Sequence, residues 1–322
     1  CPGAEDGLAV MVSAHLDAEV LASHNARLWL LCVDFSCATG RIGSSRHRGC
    51  RGSGQARVRR WLGQCEGDYQ RQREACRGGA RLDACWVSDR GWTRENNEDA
   101  FLVRPEDGLL IVSDGMGGEQ AGEVAAARVV EWLPQLLAER VPPGERPDGD
   151  VHAEMREAVV VLSRRVFEAA AALNGVRRMG ATVTAALLRD GHAHVVHMGD
   201  SRAYLLRGDV LRRLTDDHTI IGALLRHGEI SPEEAVNHPA RGRLTRFVGM
   251  EPVAKPSKQS MELEVGDRLL LCTDGLWGAV GDVQQKEILA AGNNPEDICR
   301  CLIAAGKGIG GADNLTAVVC DI

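Results

Sequence analysis

No stretch of this 322-residue chain approaches the roughly 18 consecutive apolar residues of a membrane span. The first forty residues lack a basic head followed by a long apolar segment, so the expected compartment is the cytoplasm. The eleven cysteines contain no Cys-x-x-Cys, which sets a zinc ribbon aside. Seven of them lie at or before Cys85 at irregular spacing. Cys272, Cys299, Cys301 and Cys320 stand in apolar or helical contexts and read as buried free thiols, not as a disulfide framework. No repeat with a period of about 20–50 residues is present, so a solenoid is not expected.

What is present begins with an uneven charge. The net charge is -7, yet residues 41–81 hold eleven Arg against three acidic residues, and residues 1–40 one Arg against five. The stretch from Gly40 to Ala80 is rich in Gly, Ser and Arg with few aliphatic residues, and residues 1–81 read as an N-terminal extension, disordered or weakly structured. A nucleic-acid-binding arm and an idle solvated extension are the two readings of its arginines; the second is preferred, and neither nucleic acid nor membrane is expected as a partner. The chain opens with Cys1, so it is either processed or incomplete. At 34.7 kDa it can bury one or two cores.

From Leu82 the pattern becomes regular. Short strands are expected at Cys85–Asp89, Ala100–Val103, Ala181–Leu188, His194–Met198, Arg202–Leu206, Val210–Leu214, Ser260–Leu263, Arg268–Cys272 and Asn314–Asp321. Asp190-Gly191 and Gly208-Asp209 read as turns between them. Helices are expected from about Gln120, with Val129, Leu133, Leu136 and Leu137 on one face and a kink at Pro134, and from His152 to Leu173, striped by Met155, Val159, Leu162 and Val166. A third is expected near Pro295–Lys307. Strands in runs with helices in separate pairs point to an α+β layered fold.

Two stretches end alike: Leu109-Leu-Ile-Val-Ser-Asp114-Gly115 and Leu269-Leu-Leu-Cys-Thr-Asp274-Gly275. Each is a wholly apolar run, as a strand covered on both faces needs, then a hydroxyl residue, then Asp-Gly. Taken singly, Asp-Gly is a strong hairpin signal. Glu98-Asp99 and Asp313 add carboxylates from two further places. If these groups converge at ~5 Å, each like-charge pair costs ~3 kcal/mol at an effective dielectric of 20. A cation or protonation must then offset the repulsion. Carboxylates from four places suit hard, oxygen-binding divalent ions and point to a metal-dependent hydrolase.

The order of the motifs carries a resemblance. Ser88-Asp-Arg-Gly-Trp-Thr-Arg-Glu-Asn-Asn-Glu-Asp99, Asp114-Gly-Met-Gly-Gly118, Gly180-Ala-Thr182, Gly199-Asp-Ser-Arg202 with Tyr204, Thr273-Asp-Gly-Leu-Trp277 and Asp313-Asn-Leu-Thr316 resemble the protein phosphatase 2C (PPM) family, in its bacterial branch. The likeness covers residues 82–322, and residues 216–250 resemble the family's flap segment. It implies a four-layer α-β-β-α sandwich with two central antiparallel sheets, and a serine/threonine phosphoprotein phosphatase that works by attack of a metal-bridging hydroxide. It implies two Mg²⁺ or Mn²⁺ ions, with Asp114 on both, the Gly115 carbonyl on the first, and Asp274 and Asp313 on the second. Glu98 and Asp99 would hold metal-bound waters, Asp200 a third, weaker ion, and Arg94 the substrate phosphate. Phosphorylated proteins, a Ser/Thr kinase among them, would be partners. The alternatives are a pseudophosphatase acting as a binding module, and a two-metal phosphatase for small phosphate esters.

Met116 departs from the animal members, which carry a His there as proposed general acid; bacterial members share the Met. Gly115-Met-Gly-Gly118 lacks the third glycine of a dinucleotide loop, Gln120 standing in its place. His192, His194 and His197 read as an ordinary strand surface. His218 and His238, within the flap segment, are candidates for touching substrate.

Overall fold

The computed structural model describes residues 70–75, 81–117, 121–141, 148–172, 179–250 and 254–322. The longest apolar run shows how the layers arise. β4 (Leu109–Met116) lies inside a sheet, and its side chains alternate between two cores. Leu109 and Ile111 pack with Val129 and Leu133 of helix α1 (Ala121–Arg140) and Met155 and Val159 of α2 (Asp148–Ala172). Leu110 and Val112 face the opposite way, onto Leu269 and Leu271 of β11 (Arg268–Cys272). That strand alternates too: Leu270 and Cys272 pack with Ile298 and Leu302 of α7 (Pro295–Gly308). A strand buried on both faces has no polar side, which is why both runs are continuously apolar. Three cores thus separate four layers, helices–sheet–sheet–helices, and the α-β-β-α sandwich stands as expected.

One sheet has the order β1 (Gln70–Ala75), β2 (Arg81–Asp89), β12 (Leu315–Asp321), β11, β8 (Arg202–Arg207), β9 (Val210–Arg213). The other runs β10 (Ser257–Glu262), β7 (His192–Met198), β6 (Val183–Arg189), β4, β3 (Asp99–Arg104), with the two-residue β5 (Gly180–Ala181) beside β4. All pairings are antiparallel. The β6–β7 hairpin turns at Asp190 (φ 50°) and Gly191 (φ 74°), both left-handed, as the Asp-Gly signal requires.

Several expectations change. β1 pairs with β2 from Gln70↔Trp86 to Ala75↔Arg81, inside the segment read as an extension. The remaining arginine-rich residues lie outside those described. Two helices were not expected, α5 (Asp274–Ala279) and α6 (Asp282–Ala291). Both are short and interrupted by Gly281, so they carry too little periodicity to be legible. Within the flap segment lie α3 (Ile220–His227), capped by the Thr219 hydroxyl on Gly222 N–H at 2.9 Å, and α4 (Pro232–Val236), which opens with a Ser231/Glu234 capping box. Its end is tied back to the sheets by Ala181↔Val248. Cys85, Cys272 and Cys299 are buried free thiols, and Cys301 and Cys320 are buried as well. Among the described residues no helix is long and apolar enough to cross a membrane.

The histidine reading also changes. His194 and His197 are buried on opposite faces of β7 because that strand too is covered on both sides. His197 stacks on His218 at 4.6 Å between ring centroids. His218 Nδ1 accepts from Gly199 N–H at 3.3 Å, and its Nε2 meets the Ser257 hydroxyl at 2.8 Å. It anchors the start of the flap segment instead of facing outward. His238 Nδ1 accepts from Ala240 N–H at 3.1 Å, closing a local turn.

Candidate metal centre

The two sheets bring their acidic termini to one place. Asp99, which opens β3, stands directly opposite Asp114 on β4. Asp274 begins α5 straight after β11, Asp313 precedes β12, and Asp200 follows β7. Neither Asp-Gly is a hairpin turn. A Cβ on Gly115 would overlap the Gly122 carbonyl in the first turn of α1, and one on Gly275 would overlap the Asn314 carbonyl. Each glycine therefore lets a second backbone segment close on the aspartate before it. For Gly115 this packing is a requirement that the expected carbonyl–metal approach did not anticipate.

Neutral side chains hold the carboxylates in position. The hydroxyls of Thr273 and Thr316, both from the other sheet, donate to Asp99 Oδ2 at 2.7 and 2.6 Å. The Asp114 N–H donates to Thr182 Oγ1 at 2.8 Å, and the Asp114 carbonyl accepts from the Thr182 N–H at 2.8 Å. Asn314 Oδ1 accepts from the Glu98 N–H at 2.9 Å, while its Nδ2 donates to the carbonyls of Arg90 (3.0 Å) and Asn96 (2.9 Å). Trp277 Nε1 donates to the Asp200 carbonyl at 2.8 Å, and Arg202 lies over the Trp277 ring at 3.4 Å while gripping Asp217 through two bonds of 2.9 and 2.7 Å. Asn314, Thr273, Thr316, Thr182, Arg202 and Trp277 all sit inside the quoted motifs, but their roles depend on partners far along the chain. Arg94 Nη2 donates to Asp313 Oδ2 at 2.9 Å.

Asn314 is buried and satisfies three backbone groups of the 90–98 loop. Asn314→Ala is expected to cost about 2–4 kcal/mol, because it orphans those groups. Equilibrium urea unfolding checks this, and a change under about 0.5 kcal/mol would show the loop to be held by other contacts.

Electrostatically the site is strained in the absence of a cation. Burial, then the charges of Asp274, Asp99 and Asp200, pushes Asp114 well above the carboxylate range. Burial and then the charge of Asp313 push Asp274 up. Burial raises Asp99 to about 7 against the pull of its two threonine hydroxyls. Asp200 rises to about 8 through burial, then Asp274 and Asp217. Burial likewise raises Glu98, with Arg94 opposing it. Desolvation works against the charge on Arg94, but Asp313 prevails and holds its guanidinium above the ordinary value.

In these rotamers no three His, Cys, Asp or Glu among the described residues close around a single point. The chemistry of the set nevertheless fits hard divalent cations: every donor is oxygen, and the carboxylates repel one another in a way that positive charge would relieve. Of the residues expected from the sequence, Arg94, Glu98, Asp99, Asp114, Asp200, Asp274 and Asp313 lie within electrostatic reach of one or more of the others at this end of the sheets, and Gly115 follows Asp114.

Known proteins are similar to this chain in sequence and fold. The family described as protein phosphatase 2C matches residues 93–296. A serine/threonine phosphatase stp from Listeria innocua is 32% identical over 241 residues, covering 74% of this chain and 95% of that protein. The crystal structure of the Mycobacterium tuberculosis serine/threonine phosphatase PstP/Ppp is 38% identical, with a TM-score of 0.64 and coverage of 75% and 98%. A structure of the PstP catalytic domain in complex with two manganese ions is 36% identical, with a TM-score of 0.62 and coverage of 74% and 97%. With this sandwich, this cluster of carboxylates and this degree of likeness over three quarters of its length, the chain belongs to the protein phosphatase 2C family of serine/threonine phosphatases.

Proposed function

We propose that Asp114, the Gly115 carbonyl, Asp274 and Asp313 hold two divalent cations, Mg²⁺ or Mn²⁺, with Glu98 and Asp99 orienting water beside them and Asp200 supporting a third, weaker site. The observation that carries this reading is the gathering of carboxylates at one end of the two sheets, Asp99 directly opposite Asp114, where burial first and then their mutual charge raise their pKa values. The manganese ions of the PstP catalytic domain support it. When bound, such ions acidify water and draw charge from phosphoryl oxygens. The rest falls to the chain itself. Thr273 and Thr316 keep the acceptor face of Asp99 fixed. Arg94, held at the site's margin by Asp313, presents its remaining N–H groups to a phosphate. The substrates are phosphoserine and phosphothreonine proteins, a Ser/Thr kinase among them, in the cytoplasm. The phosphatase domain takes in β1 and so begins no later than Gln70. Because the relatives are named as phosphatases, the enzyme is favoured over a binding module.

Phosphate release from a phosphothreonine peptide is expected to vanish with EDTA and to return with Mn²⁺; full activity after exhaustive chelation would sink the proposal. Arg94→Ala is expected to raise KM for that peptide about tenfold or more, with incomplete rescue by Lys, a point charge without the planar fork. An unchanged KM would make Arg94 only a loop ion pair.

A further inference from the structure

We infer that Trp92 determines specificity at this site: its indole is a platform for a neutral apolar side chain beside the phosphorylated residue of a protein substrate. The inference rests on the reading of Arg94 as the phosphate grip. Trp92 precedes Arg94 by two positions in the β2–β3 connection, and its side chain is 68% exposed. A scattered exposed apolar residue is ordinary. This one is held in place.

Its backbone N–H donates to the Gly311 carbonyl at 2.8 Å, and its Nε1–H to the Lys307 carbonyl at 3.3 Å. Lys307 Nζ lies 3.9 Å from the ring centroid and is itself fixed by Asp89 at 2.8 Å. Gly311 is left-handed (φ 51°), and a Cβ there would come within 2.7 Å of Trp92 Cδ1, so the indole lies flush against that backbone. The same 307–313 segment carries Asp313, which holds Arg94. Trp92 and Arg94, two positions apart, are therefore both tied to the 307–313 segment.

A fixed aromatic surface has little freedom left to lose, so covering it favours binding. Ile309, 61% exposed, lies midway along the turn that Trp92 spans and adds apolar surface. Lys307 already occupies one face of the ring, which disfavours a cationic substrate residue through like charge. The fitting partner is a segment with a neutral aliphatic or aromatic residue flanking its phosphothreonine or phosphoserine.

The test uses phosphothreonine peptides that differ only in flanking leucine, glutamate or glycine, with inorganic phosphate as a competitive inhibitor. The full chain is expected to show a KM about tenfold lower for the leucine peptide than for the glycine peptide. Trp92→Ala should erase that preference, the leucine and glycine peptides then sharing one KM, and Trp92→Phe should retain most of it. Equal KM values in the unmutated protein, a preference for glutamate, or a preference that survives Trp92→Ala would each overturn the inference. The underlying reading fails separately, if Arg94→Ala leaves the Ki for phosphate unchanged.

Discussion

Asp274→Asn is expected to lower kcat by on the order of a thousandfold or more while the protein stays folded. Asn keeps the shape of the side chain. Its amide has both an acceptor oxygen and a donor NH₂, so it can still make polar contacts where the carboxyl stood. What disappears is one negative charge among Asp99, Asp114, Asp200 and Asp313. Cation affinity should collapse for that reason. For the same reason the metal-free variant should melt about 2–4 °C higher than the metal-free parent, since one source of like-charge repulsion is gone. The paired measurement is kcat and melting temperature for both proteins, with EDTA and with Mn²⁺. A variant that turns over like its parent would reduce Asp274 to a helix N-terminal residue, and the proposed site would fall with it.

The metal-free protein is also expected to lose stability as pH rises from about 6.5 to about 8.5. A carboxyl whose folded pKa exceeds its unfolded value binds its proton more tightly when folded. Its contribution is complete below the unfolded pKa near 3.8 and is lost as pH rises through the folded one, about 7 for Asp99 and about 8 for Asp200. Two histidines act in the opposite sense. Burial lowers His197, and burial together with His197 lowers His218 to about 3, so both favour the folded state as pH rises towards 6.5. Above about 6.5 their contribution is constant and the carboxyls dominate. The expected loss is on the order of a few kcal/mol, read as a falling melting temperature in EDTA. Saturating Mn²⁺ should remove the decline, because the cation replaces the protons and binds better at higher pH. A flat or rising melting temperature in EDTA over this window would show that the carboxylates are not mutually strained.

The sequence by itself determined most of the strands and the identity of the acidic residues. The run Leu109–Val112 is apolar at every position because both its faces are covered, and that demand is written locally, residue by residue. Hairpin turns at Asp190-Gly191 and amphipathic α1 and α2 are likewise local in origin. The six motifs in order then identified Asp114, Asp274 and their neighbours. The tertiary structure alone decided what those residues touch. β1 and α6 became visible only as partners of other elements, since neither has enough periodicity of its own. His194 and His197 lie on opposite faces of β7 as expected, but both are buried, because the cover over that strand comes from residues far along the chain. Thr316, Asn314 and Trp92 lie within the quoted motifs, but the sequence does not say what they touch. Their roles come from contacts with Asp99, Glu98 and Lys307, each more than two hundred positions away. Local pattern records the covering a segment needs, because burial acts on each side chain separately. Pairings across that distance exist only once the sheets have stacked and brought the chain ends together.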